Sequence, residues 1–178
     1  MAMVLLSCWA WPAVVRAETE SVPSTPPRFW DRPLSFNLVL GFGTPTGEVG
    51  ATAEYSFSKW LAAGAGLGID PVFGMQTAAF GRLRFGIHEG PRRAHAVSLV
   101  GAFSAGEYGS LFSAENYWTG WAYWVQAGID YEFLGRRFRF ATGLGVAILL
   151  GTTEEKREGF PGSPLGLLPT VHITVGFN

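Results

Sequence analysis

The sequence predicts an all-β fold, an eight-stranded antiparallel up-and-down transmembrane β-barrel, and three observations support this prediction. Residues 121–140 alternate between large apolar and small or polar side chains, which is the period of a strand with two unlike faces. Only 15% of the 178 residues are charged, whereas soluble domains carry about a quarter. Beyond the N-terminus, no segment offers the ~20 consecutive apolar residues of a membrane helix. Only α-helices and closed β-barrels can cross a bilayer with every backbone group hydrogen-bonded. Since no membrane helix is present in the sequence pattern, we expect a barrel.

The stretch 121–140 predicts a hairpin with one apolar face. Aromatic residues begin and end that face around an aliphatic middle, which is typical of strands whose rings lie at the two headgroup layers. Residues 134–137 predict a tight reversal. We expect Phe133 to face Phe138, so that Glu132 faces Arg139 in an inward cross-strand ion pair.

The N-terminal segment predicts a signal peptide at residues 1–17, with cleavage after Ala17. It contains Cys8, the only cysteine, so the mature chain is expected to have no disulfide framework and no thiol ligand. Its removal takes Arg16 away and shifts the formal net charge of −1 further negative, which leaves no basic field for nucleic acid. Residues 18–33 are proline-rich and polar and predict a periplasmic lead-in, because proline cannot pair in a sheet. Residues 34–178 form the predicted barrel.

Period-two alternation predicts eight strands, each with one apolar face toward lipid. They lie at residues 34–43, 48–57, 60–68, 75–85, 95–104, 121–133, 138–148 and 167–177. The third strand has glycine on alternate inward positions, which suits a lumen where neighbouring side chains are large. In the fourth strand Arg82 and Arg84 must face inward, because an arginine at the membrane midplane costs about 2–4 kcal/mol.

The lengths of the connections predict an orientation. With both termini in the periplasm, the connections at residues 58–59, 86–94 and 134–137 are periplasmic. The external connections are then those at residues 44–47, 69–74, 105–120 and 149–166. Short inner turns and longer outer loops are typical of outer-membrane barrels.

The signal peptide, the eight alternating segments and a final strand with aromatic Phe177 resemble the small outer-membrane barrel proteins of Gram-negative bacteria, the OmpA/OmpX-like group. The resemblance covers about residues 34–178 and is one of pattern. In that family the last residue is usually the aromatic assembly signal, whereas here Phe177 precedes Asn178. The resemblance implies the cell outer membrane, with outer-membrane lipid and lipopolysaccharide as surroundings and the barrel-assembly machinery as a partner during biogenesis. We expect a monomer.

The inward faces predict a polar network in the lumen. Its candidate members are Glu54, Arg82, Arg84, Gln126, Asp130, Glu132, Arg139 and His172. The charges balance, and they should collect in the periplasmic half. Such a network is either a gate in a narrow pore or a plug of paired charges, and the balance favours the plug.

The connection at residues 105–120 is the candidate contact surface, with Tyr108, Phe112, Tyr117 and Trp118. Aromatic side chains of this kind anchor binding partners or glycans. They serve equally well as interfacial anchors in the outer leaflet, which is the simpler interpretation.

No catalytic, cofactor-binding or metal-binding residue is predicted. His95 and Ser98 are three positions apart on a strand and therefore face opposite ways. His172 and Thr174 share a face, superficially like the His-x-Ser arrangement of outer-membrane lipid A deacylases, but threonine replaces serine and both point inward. Glu154 and Glu155 have no histidine at ligand spacing.

Four hypotheses remain at this stage. The first is a non-enzymatic structural or surface-interaction barrel with a plugged lumen, and the alternatives are a lipid-modifying enzyme and a narrow passive pore. The fourth is a secreted soluble barrel of lipocalin type, in which the aromatic faces would point inward. Against it, the opposite face has glycine and alanine where a soluble surface needs charge.

Overall fold

The computed structural model describes residues 32–70, 74–90, 93–108, 120–135, 137–153 and 166–177. Within these ranges the chain forms eight strands: β1 Leu34–Phe42, β2 Val49–Ser56, β3 Leu61–Asp70, β4 Gly74–Glu89, β5 Arg93–Tyr108, β6 Gly120–Gly135, β7 Phe138–Thr152 and β8 Leu167–Phe177. Each strand pairs antiparallel with the next, and β8 pairs with β1 to close the sheet. The predicted all-β, eight-stranded antiparallel barrel is therefore confirmed. The described ranges contain no helix long and apolar enough to cross a membrane.

Every strand turns the predicted face outward. Phe36 is 62% exposed and Leu144 is 68% exposed, whereas Glu132 is 0% exposed. This arrangement is the reverse of a lipocalin-type barrel, so the soluble-barrel hypothesis is wrong about which face fills the lumen. The wall has an apolar outside and a polar, small-residue inside.

The two ends of the barrel differ in their connections. The short-turn end carries the start of β1, the end of β8 and the connections after β2, β4 and β6. The loop end carries the connections after β1, β3, β5 and β7.

Several strands run further than the alternation predicted. β4 continues to Glu89 and β5 begins at Arg93, so most of the predicted turn at residues 86–94 lies in strands, with His88 opposite His95 and a register shift between Phe85 and His88. β5 also reaches Tyr108 and β7 reaches Thr152. A ladder hydrogen bond satisfies the backbone whatever the side chain is. The apolar alternation therefore stops where polar residues begin, although the strand itself continues through them.

The register of the β6–β7 hairpin differs from the prediction. Phe133 pairs with Phe140, not Phe138, and Glu132 pairs with Ala141, not Arg139. β6 extends to Gly135, which leaves residues 136–137 as the connection instead of residues 134–137. Two-residue hairpin connections match the natural twist of the strands better than longer ones. The shift is two positions, so every side chain keeps its predicted face.

Candidate functional site in the barrel lumen

A network of charged side chains crosses the lumen near the short-turn end. Four strands supply it, and β8 adds a histidine: the members are Glu54, Arg82, Arg84, Asp130, Glu132, Arg139 and His172. Residues two apart on a strand share a face, which is why β4 and β6 each contribute a pair. The six Arg, Asp and Glu side chains are all at most 6% exposed. The structure thus joins seven of the eight predicted lumen residues.

Glu54 is one of two carboxylates that contact all three arginines. Its Oε1 accepts from Arg84 Nη2 at 2.5 Å and lies 2.8 Å from Arg139 Nη1. Its Oε2 accepts from Arg82 Nε at 3.2 Å. Glu54 thereby ties β2 to β4 and β7.

Glu132 mirrors Glu54 from β6, the strand diametrically opposite β2. It accepts from Arg84 Nε at 3.1 Å and from Arg139 Nη2 at 2.8 Å, and Arg82 Nη1 lies 3.2 Å away. The Ser98 hydroxyl donates to the same carboxylate. Three guanidinium groups are therefore held between two carboxylates across the barrel.

Asp130 extends the network towards the middle of the lumen. Its Oδ2 accepts from Arg82 Nη1 at 2.7 Å, and its Oδ1 lies 3.3 Å from His172 Nε2. A Cβ at Gly143 would collide with Asp130 Oδ1, so the glycine makes room for the carboxylate. His172 is the most exposed member of the network, with 16% of its side chain accessible.

The charges of the network balance without the histidine, because three arginines meet three carboxylates. Moving an isolated ion into a low-dielectric interior costs several kcal/mol even after relaxation. Here almost every charged group has several partners, and Ser35 and Ser56 accept from Arg139 and Arg84 at 3.3 and 3.2 Å. The arrangement is a compact electroneutral cluster that occupies the lumen.

Gln126, the eighth predicted lumen residue, faces inward but lies apart from this network. It lines a small void nearer the loop end with Asp70, Gln76 and Trp124. It lies on the inward face of β6, four positions before Asp130, so it faces the lumen as predicted but lines this void and not the charged network. The alternation along β6 shows which face Gln126 occupies. It does not show how far along the barrel axis Gln126 lies relative to residues of the other strands.

The connection between β1 and β2 folds into the lumen from the loop end, which the sequence analysis missed. Thr44 and Thr46 are only 1% and 2% exposed, and Gly47 N donates to Thr44 O at 3.0 Å. A Cβ at Gly50 or Gly68 would collide with Thr46. The alternating inward glycines of β3 were a signal that something large occupies this part of the barrel.

A cavity of about 50 Å³ remains between this connection and the charged network. Asn37, Thr52, His172 and Thr174 contribute to its lining. About 10–15 Å³ of such space is enough for one water molecule. The cavity is therefore large enough for a few water molecules and too small for a lipid chain.

The remaining candidate residues are scattered. His95 lies on the outer wall with its Nδ1 2.5 Å from Tyr131 Oη, whereas Ser98 faces inward. Phe177 is 61% exposed on the outer wall. Within the described ranges no group of three or more His, Cys, Asp or Glu could hold a metal ion. Several residues named in the sequence analysis lie outside the described part of the chain: the signal segment at residues 1–17, Phe112, Tyr117, Trp118, Glu154 and Glu155. The side chain of Tyr108 also lies outside it.

Comparisons with known proteins identify no relative of this chain. No protein-family model, curated protein or solved structure matches it. The resemblance to small outer-membrane barrels therefore stays an expectation. The role of the lumen network has to follow from its own contacts.

Proposed function

We propose that this chain is an integral outer-membrane β-barrel protein of structural or surface-interaction type. In this proposal paired charges plug the lumen, and the connections at the loop end face the outside of the cell for contact with partners. The protein is not an enzyme and needs no cofactor. Outer-membrane lipid and lipopolysaccharide surround it.

The observation that supports membrane spanning most directly is the distribution of polarity across the wall. Among the described strand residues, the ionised side chains of the middle of the barrel point inward, and the outward positions there are apolar. A soluble protein covers its outside with charge. An outward apolar band is what a bilayer core requires, because an outward Arg or Lys at the midplane costs about 2–4 kcal/mol.

The strand lengths and ring positions fit a bilayer. The shortest strand has 8 residues and the longest have 16, and a tilted membrane strand needs about 9–11. Outward aromatic rings gather at the short-turn end, where Tyr55 contacts Phe57 and Phe138 contacts Phe177. Rings at this position suit the headgroup layer.

The lumen contacts support a plug over a pore. The charged network closes the short-turn half, and Thr44 and Thr46 occupy the loop-end half. An eight-stranded barrel has an interior that its side chains can fill. We therefore propose that no continuous water path crosses the barrel at rest.

The positions of the hydroxyl and imidazole groups support a non-enzymatic role. His95 and Ser98 lie on opposite sides of the wall, as expected from their spacing. His172 and Thr174 both face the lumen cavity, where a lipid substrate has no room. A nucleophile for lipid chemistry would need to face lipid and have a base within hydrogen-bond reach.

Insertion is tested by refolding the urea-unfolded protein into zwitterionic lipid vesicles. We expect a folded form that runs differently on gels before and after heating and that remains with the vesicles after a carbonate wash. Protein that stays in the supernatant would contradict membrane spanning. Fractionation of the native cells then tests the outer-membrane location.

Planar bilayer recordings test the plug, with a channel-forming porin as the positive control. We expect no steady current from the inserted protein, and a steady single-channel current would contradict the plug while leaving the membrane location intact. Mass spectrometry of lipid A from cells with and without the gene tests the enzymatic alternative. We expect identical spectra.

A further inference from the structure

The charges outside the lumen are unequally divided between the two ends of the barrel. Among the described residues, the short-turn end has Arg32, Lys59, Arg93 and Arg137, with Glu89 as its acidic residue. The loop end has only Glu48 and Glu107 outside the lumen in those ranges. One rim of the barrel is therefore basic although the whole chain has a formal charge of −1.

We call the set Lys59, Arg93 and Arg137 the basic rim; Arg32 is left out because it already has an interaction partner in the structure. Its members come from three separate places: the β2–β3 connection, the start of β5 and the β6–β7 connection. They are spread around the circumference and do not converge on one point. A single small anion could not contact them together, whereas a plane of anionic groups around the barrel could.

The basic rim lies next to the outward aromatic rings of the short-turn end. Lys59 Nζ lies 5.0 Å from the centroid of the Trp60 ring, and Trp60 is 47% exposed. Arg137 directly precedes Phe138, whose ring contacts Phe177. Rings of this kind take the headgroup level of a bilayer. In a bilayer Lys59 and Arg137 would therefore lie at the height of the lipid phosphates.

We propose that the basic rim binds the headgroups of an anionic glycerophospholipid, such as phosphatidylglycerol, in the leaflet at the short-turn end. This inference rests on the proposed membrane embedding of the barrel. Arginine pairs with phosphate oxygens through two parallel N–H donors, and lysine acts as a point charge. The bound lipids hold the barrel at a fixed depth in the bilayer. The strength of this binding at the short-turn end depends on the negative charge of that leaflet.

The test is the enrichment of spin-labelled phosphatidylglycerol over spin-labelled phosphatidylcholine in the lipid shell of the refolded protein, measured by electron spin resonance. We expect a preference for phosphatidylglycerol at low ionic strength. The preference should disappear in about 1 M salt, where the screening length is about 3 Å. Each removed cation should lower the local enrichment by up to about fivefold.

The only two lysines of the chain provide a matched pair of variants. Lys59→Gln removes a cation from the basic rim, and Lys156→Gln removes one from the β7–β8 connection at the loop end. Both change the net charge equally. We expect Lys59→Gln, and more strongly Lys59→Gln with Arg93→Gln and Arg137→Gln, to lower the preference, while Lys156→Gln leaves it unchanged.

The outcomes separate this inference from the proposed function. A barrel that inserts into vesicles but shows no phosphatidylglycerol preference would overturn the inference alone. An equal loss in Lys59→Gln and Lys156→Gln would also overturn it, because net charge and not the rim would then be responsible. Failure to insert even into zwitterionic vesicles would overturn the proposed function itself.

Discussion

Arg139 Nη2 donates to Glu132 Oε2 at 2.8 Å although the two residues are not direct partners in the sheet. Glu132 pairs with Ala141, and Arg139 pairs with Leu134. The contact is therefore diagonal, and it is possible because arginine is long enough to reach the neighbour two positions away. The same guanidinium also lies 2.8 Å from Glu54 of β2, the strand opposite the one that carries Glu132.

This double contact predicts a strong destabilisation when Arg139 is replaced. Arg139→Gln leaves two buried carboxylates short of a cation, and breaking a buried ion pair from one side costs about 3–5 kcal/mol. Urea unfolding of the vesicle-embedded protein measures the change. Arg137→Gln, at an exposed position two residues away, is the control. In zwitterionic vesicles, which offer the basic rim no anionic lipid, it should change the free energy of unfolding by less than about 0.5 kcal/mol.

Glu132→Gln combined with Arg139→Gln should be less damaging than the sum of the two single variants. The double variant restores the balance of buried charge, and residues in one network have interaction energies of about 0.5–3 kcal/mol. The same urea titration measures all three proteins. Strict additivity would show that the two side chains do not act as a pair in the folded protein.

The hairpin register predicts which pair of cysteines will cross-link. In protein expressed without residues 1–17, and thus without Cys8, Phe133→Cys with Phe140→Cys should oxidise to a disulfide, because directly opposite residues have Cα atoms about 4.5–5.5 Å apart. Phe133→Cys with Phe138→Cys should remain reduced. Thiol titration of the folded protein distinguishes the two, and cross-linking of the second pair alone would support the register first predicted.

The inward glycines predict a difference between two similar substitutions. Gly68→Ala places a Cβ against the backbone of Thr46 and Val49, and such overpacking costs about 1–3 kcal/mol. Gly81→Ala, on the outward face of β4, is the control, because a Cβ there meets nothing within 4 Å. It should leave the unfolding free energy within about 1 kcal/mol of the parent or raise it. Equal effects of the two variants would mean that the β1–β2 connection does not occupy the lumen.

Membrane spanning predicts that the cost of an outward arginine depends on depth. Leu144, 68% exposed, lies midway along the outer face of β7, and Leu150, 60% exposed, lies near the loop end. Leu144→Arg should cost about 2–4 kcal/mol in vesicles, and Leu150→Arg about 0–1 kcal/mol. A soluble barrel would tolerate both substitutions equally, so equal costs near zero would argue against a bilayer.

The face of each strand was predictable, but its length and register were not. Alternation along β6 correctly assigned Trp121 to the outside and Glu132 to the inside, because successive side chains of any strand point to opposite faces. The predicted strand ends were wrong where polar residues such as His88 and Glu89 continue the backbone hydrogen-bond ladder after the apolar alternation has stopped. The predicted register of the β6–β7 hairpin was wrong because the connection between the two strands is shorter than its polar residues suggested.

The amino-acid sequence alone determined the two faces of the wall, the number of strands and the identity of the charged residues in the lumen. These properties follow from local geometry, because alternation along a strand places the charged residues on the face opposite the apolar ones. Only the tertiary structure decided that Glu54 and Glu132 share three arginines, that Gln126 stands apart and that Thr46 enters the lumen. Those contacts join strands distant in sequence, and closure of the barrel sets their distances.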